Sequence, residues 1–373
     1  MTSSIELGRI FGIRIGINWS WLVVVALIVW TLAAGIFPET NPGHSDGTYI
    51  AIALVAAALF FVSLLLHELG HARQAQREGM EIDGITLWLF GGVARFKGMF
   101  PSAGAEFRIA IAGPLVTLVL SLLFVGAAAA IPGSPVDAVA AWLGYINLTL
   151  LVFNLIPALP LDGGRVLRSL LWRAQGDFRR ATRVAATIGR GFAFFFIALG
   201  IFMFIFQGSF SGAWLAFIGW FLLQAATAED NYALVSESLG GLRVRDLMIA
   251  EPVTVPADVT LGEFMDRVAW NRRYTSYPVT DDGRTIGLLA FRCVAEVPRS
   301  EWDTRTVRDC MIPLERVPVL REDEAAVDAL AELSETDVNR GVVLDNGRLA
   351  GFVSITDLAR ALEVGAPRRR AAA

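Results

Sequence analysis

Two histidines and a glutamate carry the first chemical signal in this chain: His67, Glu68 and His71 stand in the run His-Glu-Leu-Gly-His at the end of an apolar stretch. On a helix, positions four apart share a face. His67 and His71 can therefore offer two imidazoles to one metal ion, with Glu68 beside them as a general base. The stretch before them, from about Ile50 to Leu66, has the length and apolarity of a membrane span. Ionisable groups inside a span are costly and mark a reaction or a transport path. The pattern points to zinc-assisted hydrolysis within the bilayer.

A catalytic zinc takes three protein ligands and a water whose lowered pKa makes it a nucleophile. The chain has three histidines, and His44 falls in a loop expected on the opposite membrane side. The third ligand is then a carboxylate or one of the two cysteines, Cys293 and Cys310. Among the carboxylates in or beside the apolar half, Asp137 is on the wrong side and Glu106 stands at a span entrance near Arg108. Asp162 is the best placed. Pro157 and Pro160 break the helix before it, and Gly163 and Gly164 let the backbone approach closely.

The elements that must hold these groups are legible in the hydropathy. The chain has 373 residues, 54% of them hydrophobic, with mean hydropathy +0.53. Six apolar spans are expected at about 19–37, 50–66, 107–130, 139–156, 191–206 and 212–228. The last two are short enough that a re-entrant hairpin is an alternative. Residues 1–16 alternate like a short strand on the membrane surface, and 81–96, punctuated by Gly84, Gly91 and Gly92, read as a small hairpin near the metal face.

Charge sets the orientation and a boundary. Segments 72–106 and 162–190 carry the basic residues, whereas the loops between the other span ends carry none. By the positive-inside rule both termini and the metal face are cytoplasmic. Residues 1–228 hold 14 basic and 11 acidic residues, against 18 and 25 over 229–373. A membrane domain is thus followed by an acidic, water-exposed region. Nothing in that region has the basic surface of a nucleic-acid binder. Both cysteines lie in it, so no disulfide framework is expected. Arg9 and Arg14 precede the first span as in a signal peptide, but its length and the spans that follow favour a retained anchor.

The motifs HELGH at 67–71 and NLIPALPLDG at 154–163 together resemble the site-2 protease family of intramembrane zinc metalloproteases (peptidase family M50). Gly91 to Arg95 and Ala112-Gly113-Pro114 resemble further family segments, and the likeness covers roughly 10–228. It implies that His67, His71 and Asp162 bind one zinc per chain, that Glu68 activates water, and that Asn154 holds the substrate backbone or the developing oxyanion. It also implies that the strand-bearing segment 81–96 pairs with unwound substrate. The expected substrate is a single-span membrane protein, such as an anti-sigma factor or a membrane-bound transcription factor, cut in regulated intramembrane proteolysis at the cell membrane. Asn147 is expected instead to pack helices through a hydrogen bond.

Residues 244–362 contain a pattern twice: V-R-D-L-M-I-A recurs as V-R-D-C-M-I-P, and P-V-T-D-D-G-R-T-I-G recurs as V-V-L-D-N-G-R-L-A-G. This resembles a tandem pair of CBS domains. Such pairs hold adenine nucleotides such as ATP through a Ser/Thr-x-x-Asp element, and Ser354 and Asp357 match it in the second copy. The first copy has Ala290 and Cys293 there. At most one nucleotide site is intact by this pattern, and the alternative is a purely structural pair that forms a homodimer. The expected fold is a polytopic α-helical membrane protein with a small membrane-associated β element, followed by a soluble α/β CBS module. Its expected divisions are 1–228 for the membrane protease domain, 229–243 for a linker, 244–300 and 301–363 for the CBS domains, and 364–373 for a basic disordered tail. A transporter or channel gated by the tail, and an inactive metal-binding scaffold, are the competing readings.

Overall fold

In the computed structural model, residues 5–88, 91–96, 98–272, 274–345 and 347–364 are described; beyond Val364 the expected basic tail lies outside them. The chain divides into two compact units, Met1–Leu234 and Val235–Ala373.

The first unit begins with β1 (Ile5–Ile10) and β2 (Ile13–Ile17). The first span is broken into α1 (Ser20–Thr31), a π turn over Leu32–Ile36 and α2 (Phe37–Thr40). Helix α3 (Asp46–Arg77) then runs unbroken for 32 residues through the His-Glu segment. Ser45 starts it by accepting from the Thr48 amide at 3.3 Å, satisfying one of the free N–H groups of the first turn. Next come β3 (Ile82–Trp88) and β4 (Gly91–Phe96), followed by α4 (Ala103–Ala130) and α5 (Pro135–Asn154). Ser102 and Ser134 cap those two helices in the same way. The amphipathic α6 (Asp162–Gln175) stops at left-handed Gly176. Last are α7 (Phe178–Gln207) and α8 (Phe210–Ser238).

Among the described residues, six helical segments are long and apolar enough to cross a membrane, as the hydropathy pattern predicts, and the chain is a multi-pass membrane protein. The last two are longer than their apolar cores. Their helical segments run for 30 and 27 residues, because the polar turns flanking each core continue the helix. Phe194, Phe195, Phe202 and Phe206 are exposed on α7, as expected of a surface that meets lipid.

The hairpin expected at 81–96 is part of something larger. Strands β1 to β4 form one sheet in the order β1-β2-β3-β4, with β2 and β3 parallel and the other pairs antiparallel. Ile13, Ile15 and Ile85 of this sheet pack on Leu69 and Ala72, fixing it against the His-Glu end of α3. Strand β4 is an edge of the sheet.

The second unit carries the repeat as two mixed sheets. One contains β6 (Val255–Pro256), β7 (Ser276–Asp281), β8 (Arg284–Ala290) and β9 (Ile312–Pro313). The other has β10 (Val319–Leu320), β11 (Arg340–Asp345), β12 (Arg348–Ser354) and β5 (Ile249–Ala250). Each copy therefore gives its leading strand to the sheet of the other. Gly287 and Gly351 permit it: a Cβ at either would run into the Ile312 carbonyl or the Met248 side chain of the donated segment.

Candidate metal centre

The three residues read as ligands converge. His67 Nε2 and His71 Nε2 each lie 3.3 Å from Asp162 Oδ2 and 3.1 Å from one another. Both histidines are buried, at 6% and 7% exposure, so the cluster is shielded from bulk water. His67 and His71 come from successive turns of α3. Asp162 is the first residue of α6, whose N-terminus is pressed onto the preceding loop. A Cβ at Gly163 would strike the backbone of Leu155 and Ile156, and one at Gly164 that of Ala158 and Leu159. The close approach read from the Gly-Gly pair is thus physically required.

Helix α4 fixes the imidazoles. His71 Nδ1 lies 2.7 Å from the Ile109 carbonyl, which can only accept, so Nδ1 carries the proton. His67 Nδ1 lies 2.8 Å from Thr117 Oγ1, whose own hydroxyl donates to the Gly113 carbonyl at 3.3 Å; Nδ1 of His67 is again the donor. In the neutral rings both Nε2 atoms then bear lone pairs, and they point at each other and at a carboxylate oxygen. Asp162 Oδ2 is buried without a hydrogen-bond partner. Three electron-rich atoms at 3.1–3.3 Å are held together by a positive charge between them, which a shared proton or a metal ion supplies. Two nitrogens and one oxygen are a donor set zinc accepts, and zinc bonds of about 2.0–2.1 Å in a tetrahedron put ligand atoms about 3.3 Å apart. The residues fit the metal.

Close backbone packing makes room for these groups. A Cβ at Gly113 would overlap the His71 ring, and one at Gly70 would sit 3.0 Å from Val116 Cγ2, so α3 and α4 meet through glycines. Strand β4 crosses Glu68 just as closely: a Cβ at Gly92 would enter its side chain. Glu68 is therefore held between the metal-ligand helix and a sheet edge.

Other candidates separate from this cluster. His44 precedes the first turn of α3, and its amide donates to Tyr49 Oη at 3.2 Å. By helix rise, Asp46 is about 30 Å from His67 along α3. Glu106 is fully buried and pairs with Arg168 at 2.6 Å, while Arg108 turns instead to Glu78 at 2.7 Å. Asn154 is the last residue of α5 and partly buried. The expectation for Asn147 is corrected: its amide donates at 2.8 Å to Leu143 O, one turn back on its own helix, because that carbonyl is the acceptor a buried amide finds nearest.

In the second unit, Ser354 and Asp357 form a reciprocal cap on the last helix, Ile355–Val364. The Ser354 amide and hydroxyl donate to Asp357 Oδ2 at 3.0 and 2.6 Å, and the Asp357 amide donates back to Ser354 Oγ at 3.3 Å. Ala290 provides no such side-chain cap in the first copy. Arg340 donates to Thr275 Oγ1 at 2.8 Å, and burial together with the Arg292 guanidinium pushes its pKa below the ordinary value.

Sequence reasoning missed the carriers of the tautomers. Ile109, Gly113 and Thr117 recur every four residues on α4, a spacing that marks one helix face. It also missed the pairs Arg168–Glu106 and Arg168–Glu229, although Arg165 and Arg168 follow Asp162 at three-residue intervals.

Fold and site together define a multi-pass membrane protein with a buried, enzyme-like metal-binding site. The sequence profile of Peptidase family M50 matches residues 55–138 and 128–199, and that of the CBS domain matches 244–298 and 307–364. The chain is 40% identical over 372 residues to Rip3 of Mycobacterium tuberculosis, covering 98% of this chain and 94% of that one. It is 31% identical over 368 residues to zinc metalloprotease MJ0392 of Methanocaldococcus jannaschii, covering 98% and 97%. Among solved structures, the Site-2 Protease from Methanocaldococcus jannaschii aligns at 30% identity and TM-score 0.43, covering 61% of this chain and 94% of that one. The chain belongs to peptidase family M50 and carries a pair of CBS domains after its membrane unit.

Proposed function

We propose that the chain is a zinc-dependent intramembrane endopeptidase that hydrolyses a peptide bond in the transmembrane helix of a membrane-held regulator. The observation that carries this reading is the buried triangle of His67, His71 and Asp162, with both imidazole lone pairs turned inward and Glu68 beside it. His67, His71 and Asp162 hold the metal. Zinc bound there supplies a Lewis acid and a water acidic enough to ionise near neutrality. Glu68 takes the proton of the attacking water on its carboxylate and delivers it to the amine leaving nitrogen. The Asn154 amide donates to the substrate backbone or the developing oxyanion. A helix buries its peptide bonds in internal hydrogen bonds, so the substrate must unwind. The edge of β4, with Gly92 against Glu68, offers the pairing that holds it extended.

The basic loops favour a cytoplasmic active site with both termini on that side. The substrate is then a single-span protein, an anti-sigma factor or membrane-bound transcription factor, cut near its cytoplasmic end. In the CBS pair, Asp357 would meet the ribose of an adenine nucleotide such as ATP, and the neighbouring arginines, Arg292 and Arg340, its phosphates; the pair would also join two chains.

The test is zinc content and cleavage of helical membrane peptides by the detergent-purified protein and by Glu68→Gln, with and without ATP. One zinc per chain in both proteins, with cleavage lowered about 10²- to 10⁴-fold in the variant, supports the reading. Undiminished cleavage by Glu68→Gln would refute the mechanism, and zinc without any cleavage by the wild type favours an inactive scaffold.

A further inference from the structure

We propose that Glu229, on the last membrane helix, is a positioning residue for the metal centre, acting on Asp162 through Arg165 and Arg168. The inference rests on the zinc reading above.

Asp162, Arg165 and Arg168 lie at three-residue intervals on α6, so they trace one sloping stripe from the ligand along the helix. The two arginines converge on one carboxylate. Arg165 reaches Glu229 Oε1 at 3.3 Å and Arg168 reaches Glu229 Oε2 at 3.0 Å. Arg168 also donates to Glu106 at 2.6 Å, with side-chain exposures of 3% for the arginine and 0% for the glutamate. Buried charges in such a cluster hold one another, because moving any of them leaves another uncompensated in a poorly solvated place.

The cluster joins the two sides of the metal site. Glu106 stands one turn before Ile109, whose carbonyl fixes the His71 tautomer on α4, while Arg165 stands one turn after Asp162 on α6. Glu229 closes the link from α8 by engaging both arginines at once. Its neighbour Asp230 serves as an internal comparison: it pairs with Arg190 on α7 at 3.0 Å, a similar bond from the next residue of α8 that does not touch α6. If α8 merely needed ionic anchoring, the two carboxylates would be equivalent. If Glu229 positions Asp162, only its loss reaches the metal.

The experiment uses the full chain in detergent, with zinc affinity measured by competition against a chromophoric chelator and the ligand field read from the visible spectrum after cobalt(II) loading. Glu229→Gln is expected to weaken zinc binding about 10- to 100-fold, the range for partners that orient metal ligands, and to alter the cobalt spectrum. Asp230→Asn is expected to stay within about threefold with an unaltered spectrum, since its bond touches no element carrying a ligand of the site. Glu229→Gln with wild-type affinity and spectrum, or Asp230→Asn with an equal loss, would overturn the proposal. Should Glu229→Gln not fold, Arg165→Gln decides, because it cuts the link nearest the ligand and leaves Arg168 bound to both glutamates; wild-type affinity there overturns it equally. A wild-type protein that binds no zinc would sink the metalloprotease reading itself, and this inference with it.

Discussion

Replacing Thr117 by Val isolates one atom of the site. The side chains are nearly the same shape, and Thr117 is buried at 2% exposure, so the change removes only the hydroxyl that accepts from His67 Nδ1 at 2.8 Å. A buried N–H left without a partner costs about 1–3 kcal/mol. The ring escapes that cost by rotating or by moving its proton to Nε2, and either response withdraws the lone pair from the metal. At about 1.4 kcal/mol per tenfold, the penalty corresponds to roughly 5- to 150-fold in zinc affinity. Chelator competition on the detergent-purified protein measures it directly, without any substrate. Thr117→Ser keeps the hydroxyl and should bind zinc within about threefold of wild type. A folded Thr117→Val protein with wild-type affinity would show that the hydroxyl does not set the His67 tautomer.

Two glycine variants should fail differently. Gly113→Ala drives a methyl into His71 and should abolish tight zinc binding, whereas Gly92→Ala meets Glu68 and should keep zinc while lowering cleavage about 10²-fold, as expected for a reacting group displaced by about 1 Å. Arg168→Ala leaves Glu106 buried and unpaired and should cost about 3–5 kcal/mol, read as a lower thermal midpoint of the membrane unit. Asp357→Ala removes the reciprocal cap and should both abolish ATP binding, followed by calorimetry, and destabilise the second unit by about 0.5–2 kcal/mol.

Much of this architecture is legible in the residues because the bilayer leaves few options. An apolar stretch in lipid must be helical, so the spans follow from hydropathy, and a His-Glu-x-x-His run at the end of one puts two imidazoles on one face by helix geometry alone. Asp162 was reachable because prolines and glycines announce a break and a close approach. What escapes is whatever depends on partners distant in sequence. Thr117 reads as an ordinary hydroxyl in a span until α4 is laid against α3, and Glu229 reads as the first acid of a soluble region until it is found between two arginines. The N-terminal alternation suggests a strand, but only the pairing of β2 with β3 reveals one sheet. The exchange of leading strands between the CBS copies is hidden for the same reason: each strand is two residues long, and its partner lies about 100 or 25 residues away.

The two glycines at the site set a limit on how this protein can change over generations. Glycine and alanine codons differ by one base, and the missing methyl at 92 and 113 is what lets Glu68 and His71 stand where they do. In the proposed mechanism, one mutation at either place would displace Glu68 or His71 while leaving His67, Glu68, His71 and Asp162 all in the chain. Descent from an active ancestor into a non-cleaving relative can on that mechanism begin at residues that touch the site without belonging to its motif. On the proposed mechanism, positions 92 and 113, read together, would separate chains that can seat Glu68 and His71 from those that keep only the motif.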